Sequence, residues 1–141
     1  MKVRLPDGTV VTACSLAERR ESNPERDFGL YMDAAWRPTW DAHVIQWADF
    51  GIPEDPVSAA RAIAAAFRRA KGKERLEIGC VGGLGRTGTV LACMAVLAGV
   101  PVNDAVGWVR ANYHGEAIER PAQERWVRWF ADRVKAGEIQ E

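Results

Sequence analysis

One stretch combines residue types and spacing suited to chemistry: Cys80-Val-Gly-Gly-Leu-Gly-Arg86-Thr87-Gly88. A short apolar run, Leu76–Ile78, leads into it as a strand candidate, and the strongly apolar Thr87–Ala98 follows as a helix. A strand, a glycine-rich turn and a buried helix together form an anion site. Free N–H groups at the helix start point at the anion, and the helix dipole favours negative charge. Gly82, Gly83 and Gly85 let the backbone curl until several N–H groups converge, so Val81, Gly82, Gly83, Leu84, Gly85 and Arg86 are the expected cradle. Arg86 adds a planar fork that matches two phosphate oxygens. Cys80 sits at the base of the loop, where the same positive field stabilises a thiolate. Thiols so placed fall to a pKa of about 3.5–7.5, against about 8.5 when free. A thiolate beneath an anion cradle suits attack on phosphorus.

Other readings of these residues are less consistent with their surroundings. Gly83-Leu-Gly85-Arg-Thr-Gly88 is a literal G-x-G-x-x-G with Asp104 downstream, but Asp104 lies in a helical pattern rather than at the end of a second strand. A nucleotide P-loop needs Gly-Lys-Ser/Thr, and the loop has no lysine. Purely structural glycines around a core thiol would not need Arg86 and Thr87. His43 and His114, the two histidines, are too far apart for a zinc motif, so no metal and no cofactor is expected.

The loop resembles the C-x5-R-[ST]-G loop of protein tyrosine phosphatases and their dual-specificity relatives. Two further segments resemble the same family, in the family's order. Trp47-Ala48-Asp49-Phe50-Gly51-Ile52-Pro53 is similar to the mobile general-acid loop, and Ile118-Glu-Arg-Pro-Ala-Gln123 to the glutamine loop. The resemblance implies that Cys80 attacks phosphorus, that Arg86 and the loop N–H groups hold the transition-state oxygens, and that Asp49 protonates the leaving oxygen and later deprotonates water. It implies that Thr87 bonds the Cys80 sulfur, a role that can coexist with helix capping, and that Gln123 positions the hydrolytic water. Trp47 is expected to anchor the acid loop and Gly51 to serve as its hinge. Two positions depart from the family: Gly79 replaces the histidine that usually precedes the nucleophile, which implies a less depressed thiol pKa or a substitute donor elsewhere, and Ala48 replaces a proline of the tyrosine-specific members.

Several elements must position these groups. Pro6-Asp7-Gly8 between Lys2–Leu5 and Thr9–Ala13 signals a hairpin. Residues 17–27 are mostly charged and read as an exposed loop or short helix. Phe28–Ala35 and Ala42–Gln46 are strand candidates. Asp55-Pro56 opens a helix with Val57, Ala60, Ile63, Ala64 and Phe67 on one face, and Gly72 ends it. Gly99 and Pro101 stop the helix after the loop. Two amphipathic helices follow: one carries Val102, Ala105, Val106 and Val109, and the other runs from Pro121 to Gly137 with Trp126, Trp129, Phe130 and Val134 inward. The expected fold is α/β, a central mostly parallel sheet flanked by helices, in a compact dual-specificity-phosphatase-like domain.

At 141 residues the chain fits a single domain, 1–141, able to bury its own core. Nineteen basic and nineteen acidic residues cancel, so net charge gives no reason to expect nucleic acid or an anionic membrane as partner. Three cysteines and no visible leader lead to the expectation of a reduced, cytoplasmic monomer. Cys14 and Cys93 read as apolar residues, with Cys93 a resolving thiol only if the fold brings it to Cys80. Tyr31, Trp36 and Trp40 are candidates for the substrate mouth. The expected substrate is a phosphorylated protein or small phosphomonoester. Phosphotyrosine is the first candidate; phosphoserine or phosphothreonine, phosphoinositides and nucleotide phosphates stay open. Two alternatives compete with it: a catalytically weak or inactive phosphate-binding pseudophosphatase acting as an interaction module, and a C-x5-R enzyme of arsenate-reducing or sulfur-transferring type.

Overall fold

The Asp7-Gly8 turn folds the N-terminus into a hairpin. β1 (Lys2–Arg4) pairs antiparallel with β2 (Val10–Ser15), and Gly8 takes φ +91°, a left-handed conformation that glycine adopts without penalty. The computed structural model describes residues 1–16, 26–33 and 38–140. Most of the charged stretch expected as a loop or short helix, and Trp36, lie outside the described residues.

Three more strands complete one sheet: β3 (Phe28–Tyr31), β4 (Ala42–Val44) and β5 (Leu76–Cys80). The order is β1-β2-β5-β3-β4, with every pairing after the first hairpin parallel. Strands β3 and β4 are shorter than their apolar runs. β5 is longer than Leu76–Ile78 because β2 and β3 pair with it as far as Cys80 and Gly79 respectively.

Four helices lie in the expected places, α1 (Pro56–Lys71) between β4 and β5, and α2 (Gly85–Leu97), α3 (Val102–Asn112) and α4 (Pro121–Lys135) after β5. Asp55 caps α1 by accepting the Ser58 N–H at 3.1 Å, with Pro56 in the first turn and Gly72 at the end. The helix buries Ala60, Ile63, Ala64 and Phe67 but leaves Val57, in its first turn, 42% exposed rather than inward. α2 begins at Gly85 instead of Thr87, so the last residues of the phosphate-loop motif are already its first turn. Every α2 residue except Val96 is buried, which accounts for its lack of a polar face. On α4, Trp126, Val127 and Phe130 are buried while Trp129 and Val134 are half-buried against the core.

The sheet presents Val11, Ala13, Leu30, Leu76, Ile78 and Cys80 to one core with these helices. The alternate residues of β5 face the other way and carry a polar network. The Tyr31 hydroxyl donates to buried Glu77 at 2.5 Å, and the Trp40 indole donates to the Tyr31 oxygen at 2.9 Å. The Tyr31 ring occupies the space beside Gly29, where a Cβ would collide with it. Tyr31 is therefore fully buried on the far face of the sheet, and Trp40 is tied to it; neither lines the mouth of the site.

Candidate active site

Strand β5 is the middle strand, and its C-terminal end delivers Cys80 to the edge where open α/β sheets bind ligands. Neighbouring strands hold that end firmly: Leu16 N–H donates to the Cys80 carbonyl at 2.8 Å and Met32 N–H to the Gly79 carbonyl at 2.9 Å. The chain then turns through residues 81–84 into α2. No acidic residue lies in the first turn of α2, and Leu84 provides no side-chain cap, so nothing local on the helix competes for its free N–H groups.

Cys80 is 2% exposed and its sulfur accepts two hydrogen bonds, from the Thr87 hydroxyl at 3.1 Å and the Gly83 N–H at 3.2 Å. Gly83 reaches this geometry with φ +74°. Gly79, where the family has histidine, sits in a filled space: a Cβ there would lie 2.8 Å from Cys14 Sγ and 3.2 Å from Leu16 Cδ2.

Arg86 is buried and links the loop to the segment carrying Asp49. Its Nη1 donates to the Trp47 carbonyl at 2.9 Å, and its Nη2 lies 3.6 Å from Asp49 Oδ1. Its Nε is buried without a hydrogen-bond partner among the described residues. A buried guanidinium N–H without a partner is costly, and an oxyanion seated in the loop would satisfy it.

The Asp49 segment is a tight loop closed by a bridge between Trp47 and Pro53. Gly51 N–H donates to the Ala48 carbonyl at 3.0 Å, and Asp49 Oδ1 accepts the Phe50 N–H at 3.0 Å. The left-handed residue is Phe50, with φ 61°, while Gly51 is close-packed, its Cβ position lying 3.2 Å from the Ala48 carbonyl oxygen. Trp47 is buried against Trp126 of α4, ring centroids 5.5 Å apart, and its indole donates to the Gly51 carbonyl at 2.7 Å. Asp49 itself stays largely exposed.

Gln123 is fully buried in the first turn of α4. Its Oε1 accepts the N–H groups of Glu119 (3.0 Å) and Arg120 (3.2 Å), and its Nε2 donates to the Gly51 carbonyl at 3.2 Å. Glu119, not among the expected site residues, places its carboxylate directly against Gly85 at the start of α2. The segment that carries it is tightly held. Ile118 adopts φ 64°, its N–H donates to the Leu84 carbonyl at 3.2 Å, and Arg110 grips the Ala117 and Ile118 carbonyls at 3.0 and 2.9 Å. Gly88 permits this approach, since a Cβ there would lie 3.0 Å from Ala117 and Ile118. A glycine inside an otherwise apolar helix is a signal that another segment comes close.

Three predicted positions fall outside this cluster. Burial pushes the Cys93 thiol in α2 well above its ordinary value. His43 and His114 are both exposed. No described helix is long and apolar enough to cross a membrane.

The sequence matches the family model described as protein-tyrosine phosphatase over residues 8–111. An uncharacterized protein of Methanocaldococcus jannaschii is 37% identical over 91 residues, which are 63% of this chain and 54% of that protein. The chain thus spans about half the length of that relative. Among solved structures, human DUSP28 superposes with a TM-score of 0.72 at 12% identity, covering 97% of this chain and 99% of that one. Tk-PTP in its active form gives 0.66 at 21% identity, covering 77% and 80%. PTPMT1 in complex with PI(5)P gives 0.63 at 11% identity, covering 81% of each. These structural likenesses concern the fold. The family match runs from the hairpin through the nucleophile loop into α3, and on that ground the chain belongs to the protein-tyrosine phosphatase family.

Proposed function

We propose that this chain hydrolyses phosphate monoesters in two steps, through a phosphocysteine on Cys80. One observation carries the reading: Arg86 links the nucleophile loop to the Asp49 loop and keeps a buried, partnerless Nε. In the first step the Cys80 thiolate forms an S–P bond and the P–O ester bond breaks. Asp49 gives its proton to the departing oxygen, while Arg86 and the loop N–H groups hold the equatorial oxygens. In the second step water attacks phosphorus, Asp49 takes up the water's proton, and the S–P bond breaks to release inorganic phosphate. The Thr87 hydroxyl and Gly83 N–H receive the returning thiolate.

Gln123 and Glu119 divide the work expected of Gln123 alone. The Gln123 amide already holds two N–H groups and a carbonyl of the backbone, which favours bracing the acid loop over meeting water. Glu119 lies against Gly85 and is the better placed acceptor for the hydrolytic water.

Phosphotyrosine in proteins is the proposed substrate. Phe50, Ile52 and Val81 are large exposed apolar side chains on the acid and phosphate loops, which suits an aryl group better than a highly charged inositol phosphate. The test compares release of nitrophenol from para-nitrophenyl phosphate by wild type, Cys80→Ser and Asp49→Ala, with chelator present, followed by phosphotyrosine peptide and PI(5)P as competing substrates. Activity lost in Cys80→Ser, sharply reduced in Asp49→Ala and directed to the peptide supports the reading. No turnover by folded wild type favours the phosphate-binding pseudophosphatase.

A further inference from the structure

Two carbonyls of the phosphate loop accept hydroxyl donors from neighbouring elements. Ser15, the last residue of β2, donates to the Val81 carbonyl at 2.6 Å. Tyr113, just past α3, donates to the Gly83 carbonyl at 2.5 Å. Ser15 and Tyr113 line one cleft with Cys14, Gly82, Leu84 and His114, beside the loop. In a trans peptide the C=O and N–H point in opposite directions. A Val81 carbonyl drawn toward Ser15 sends the Gly82 N–H the other way, and a Gly83 carbonyl drawn toward Tyr113 does the same for Leu84 N–H. Gly83 stands between these two peptide units, and its own N–H meets the Cys80 sulfur. Its Cβ position lies 3.3 Å from Cys14 O and Ser15 Cα, so the loop rests directly on β2.

We propose that Tyr113 is a positioning residue for the phosphate loop, assisted by Ser15: their hydroxyls hold the Gly83 and Val81 carbonyls outward so that the Leu84 and Gly82 N–H groups face the phosphoryl oxygens. The inference rests on the reading of this loop as a phosphate site. It assigns no proton transfer to Tyr113. Burial, with the Cys80 and Cys14 sulfurs nearby, pushes that phenol up to about 12, so it remains a donor at neutral and moderately alkaline pH.

The test measures tungstate binding by calorimetry for wild type, Tyr113→Phe and Ser15→Ala, with the melting temperature of each recorded without anion. Tyr113→Phe keeps the ring and removes only the donor. Tungstate affinity should fall about tenfold in Tyr113→Phe, and in the same direction in Ser15→Ala, as expected for loss of one hydrogen bond that orients a loop peptide. A role confined to packing predicts a lower melting temperature with unchanged affinity of the folded protein, and that result overturns the proposal. If Tyr113→Phe does not fold, Ser15→Ala decides: wild-type affinity there overturns it. Wild type that binds tungstate but fails to hydrolyse para-nitrophenyl phosphate contradicts the proposed function while leaving the loop assignment to be judged on the variants. Wild type that binds no tungstate contradicts both.

Discussion

The Gln123 side-chain amide and the Gly51 carbonyl meet at 3.2 Å, joining the first turn of α4 to the loop that carries Asp49. The same oxygen accepts the Trp47 indole at 2.7 Å. At the other end of the same amide, Gln123 Oε1 accepts the N–H groups of Glu119 and Arg120, one on each side of the Glu119 Cα. One side chain therefore ties the Asp49 loop to the segment bearing Glu119.

Gln123→Ala should release that tie. Losing the donor to a half-buried carbonyl costs about tenfold in kcat if the acid loop must be held for proton transfer. The loss should vanish in an Asp49→Ala background, because two residues acting through one function are not additive. A full additional loss in the double variant would assign Gln123 to a different step.

Thr87→Ala removes the hydroxyl that meets Cys80 Sγ at 3.1 Å. Breakdown of the phosphocysteine should slow by roughly ten- to a hundredfold, since a hydrogen bond to a charged sulfur is at stake. Rapid mixing should then reveal a burst of nitrophenol followed by slow turnover. Thr87→Ser should restore the wild-type profile. A pure helix-capping role predicts loss of stability without a burst.

Gly79→His, which would restore the residue usual in the family, should destabilise this chain. Its Cβ would lie 2.8 Å from Cys14 Sγ, and overpacking of that kind costs about 1–3 kcal/mol. Thermal unfolding should show a lower midpoint, partly recovered when Cys14→Gly is added. An unchanged midpoint would mean that the space around Cys14 is more adaptable than the packing implies.

Among the described residues, Asp27, just before β3, contributes to acid stability. The Arg75 side chain, and next its backbone N–H, hold Asp27 at a pKa of about 2, below the ordinary carboxylate value. The folded value is depressed, so the contribution is present above the unfolded pKa of about 3.9 and fades as pH falls through about 2. Asp27→Asn should therefore melt lower than wild type at neutral pH, and the two should converge toward pH 2. A gap that persists below that pH would point to packing instead of charge.

The strand–turn–helix around Cys80 was legible because it is contiguous: cysteine, glycines, arginine and threonine lie within nine residues, and the unit closes on itself locally. The helices were legible from capping and apolar period, as Asp55-Pro56 and α4 show. Whether Tyr31 and Trp40 belong to the core or to the mouth was not legible, because an apolar strand does not reveal which face meets the helices. That is settled by the β3–β5 pairing and by the bond from Tyr31 to Glu77. Glu119 was overlooked beside the more familiar Gln123, although Gly88 marks where its segment comes close. Phe50, not Gly51, takes the left-handed turn, which only the closed loop geometry determines.

A covalent phosphocysteine on Cys80 is tested most directly by capturing it. Wild type and Thr87→Ala are mixed with para-nitrophenyl phosphate, quenched in acid within milliseconds, and examined by intact mass and peptide mapping. The account predicts a phosphoryl-sized mass increase on the peptide bearing Cys80, more abundant in Thr87→Ala and absent from Cys80→Ser. Turnover by wild type with no phosphorylated protein at any quench time, or with the phosphoryl group on another residue, would contradict it.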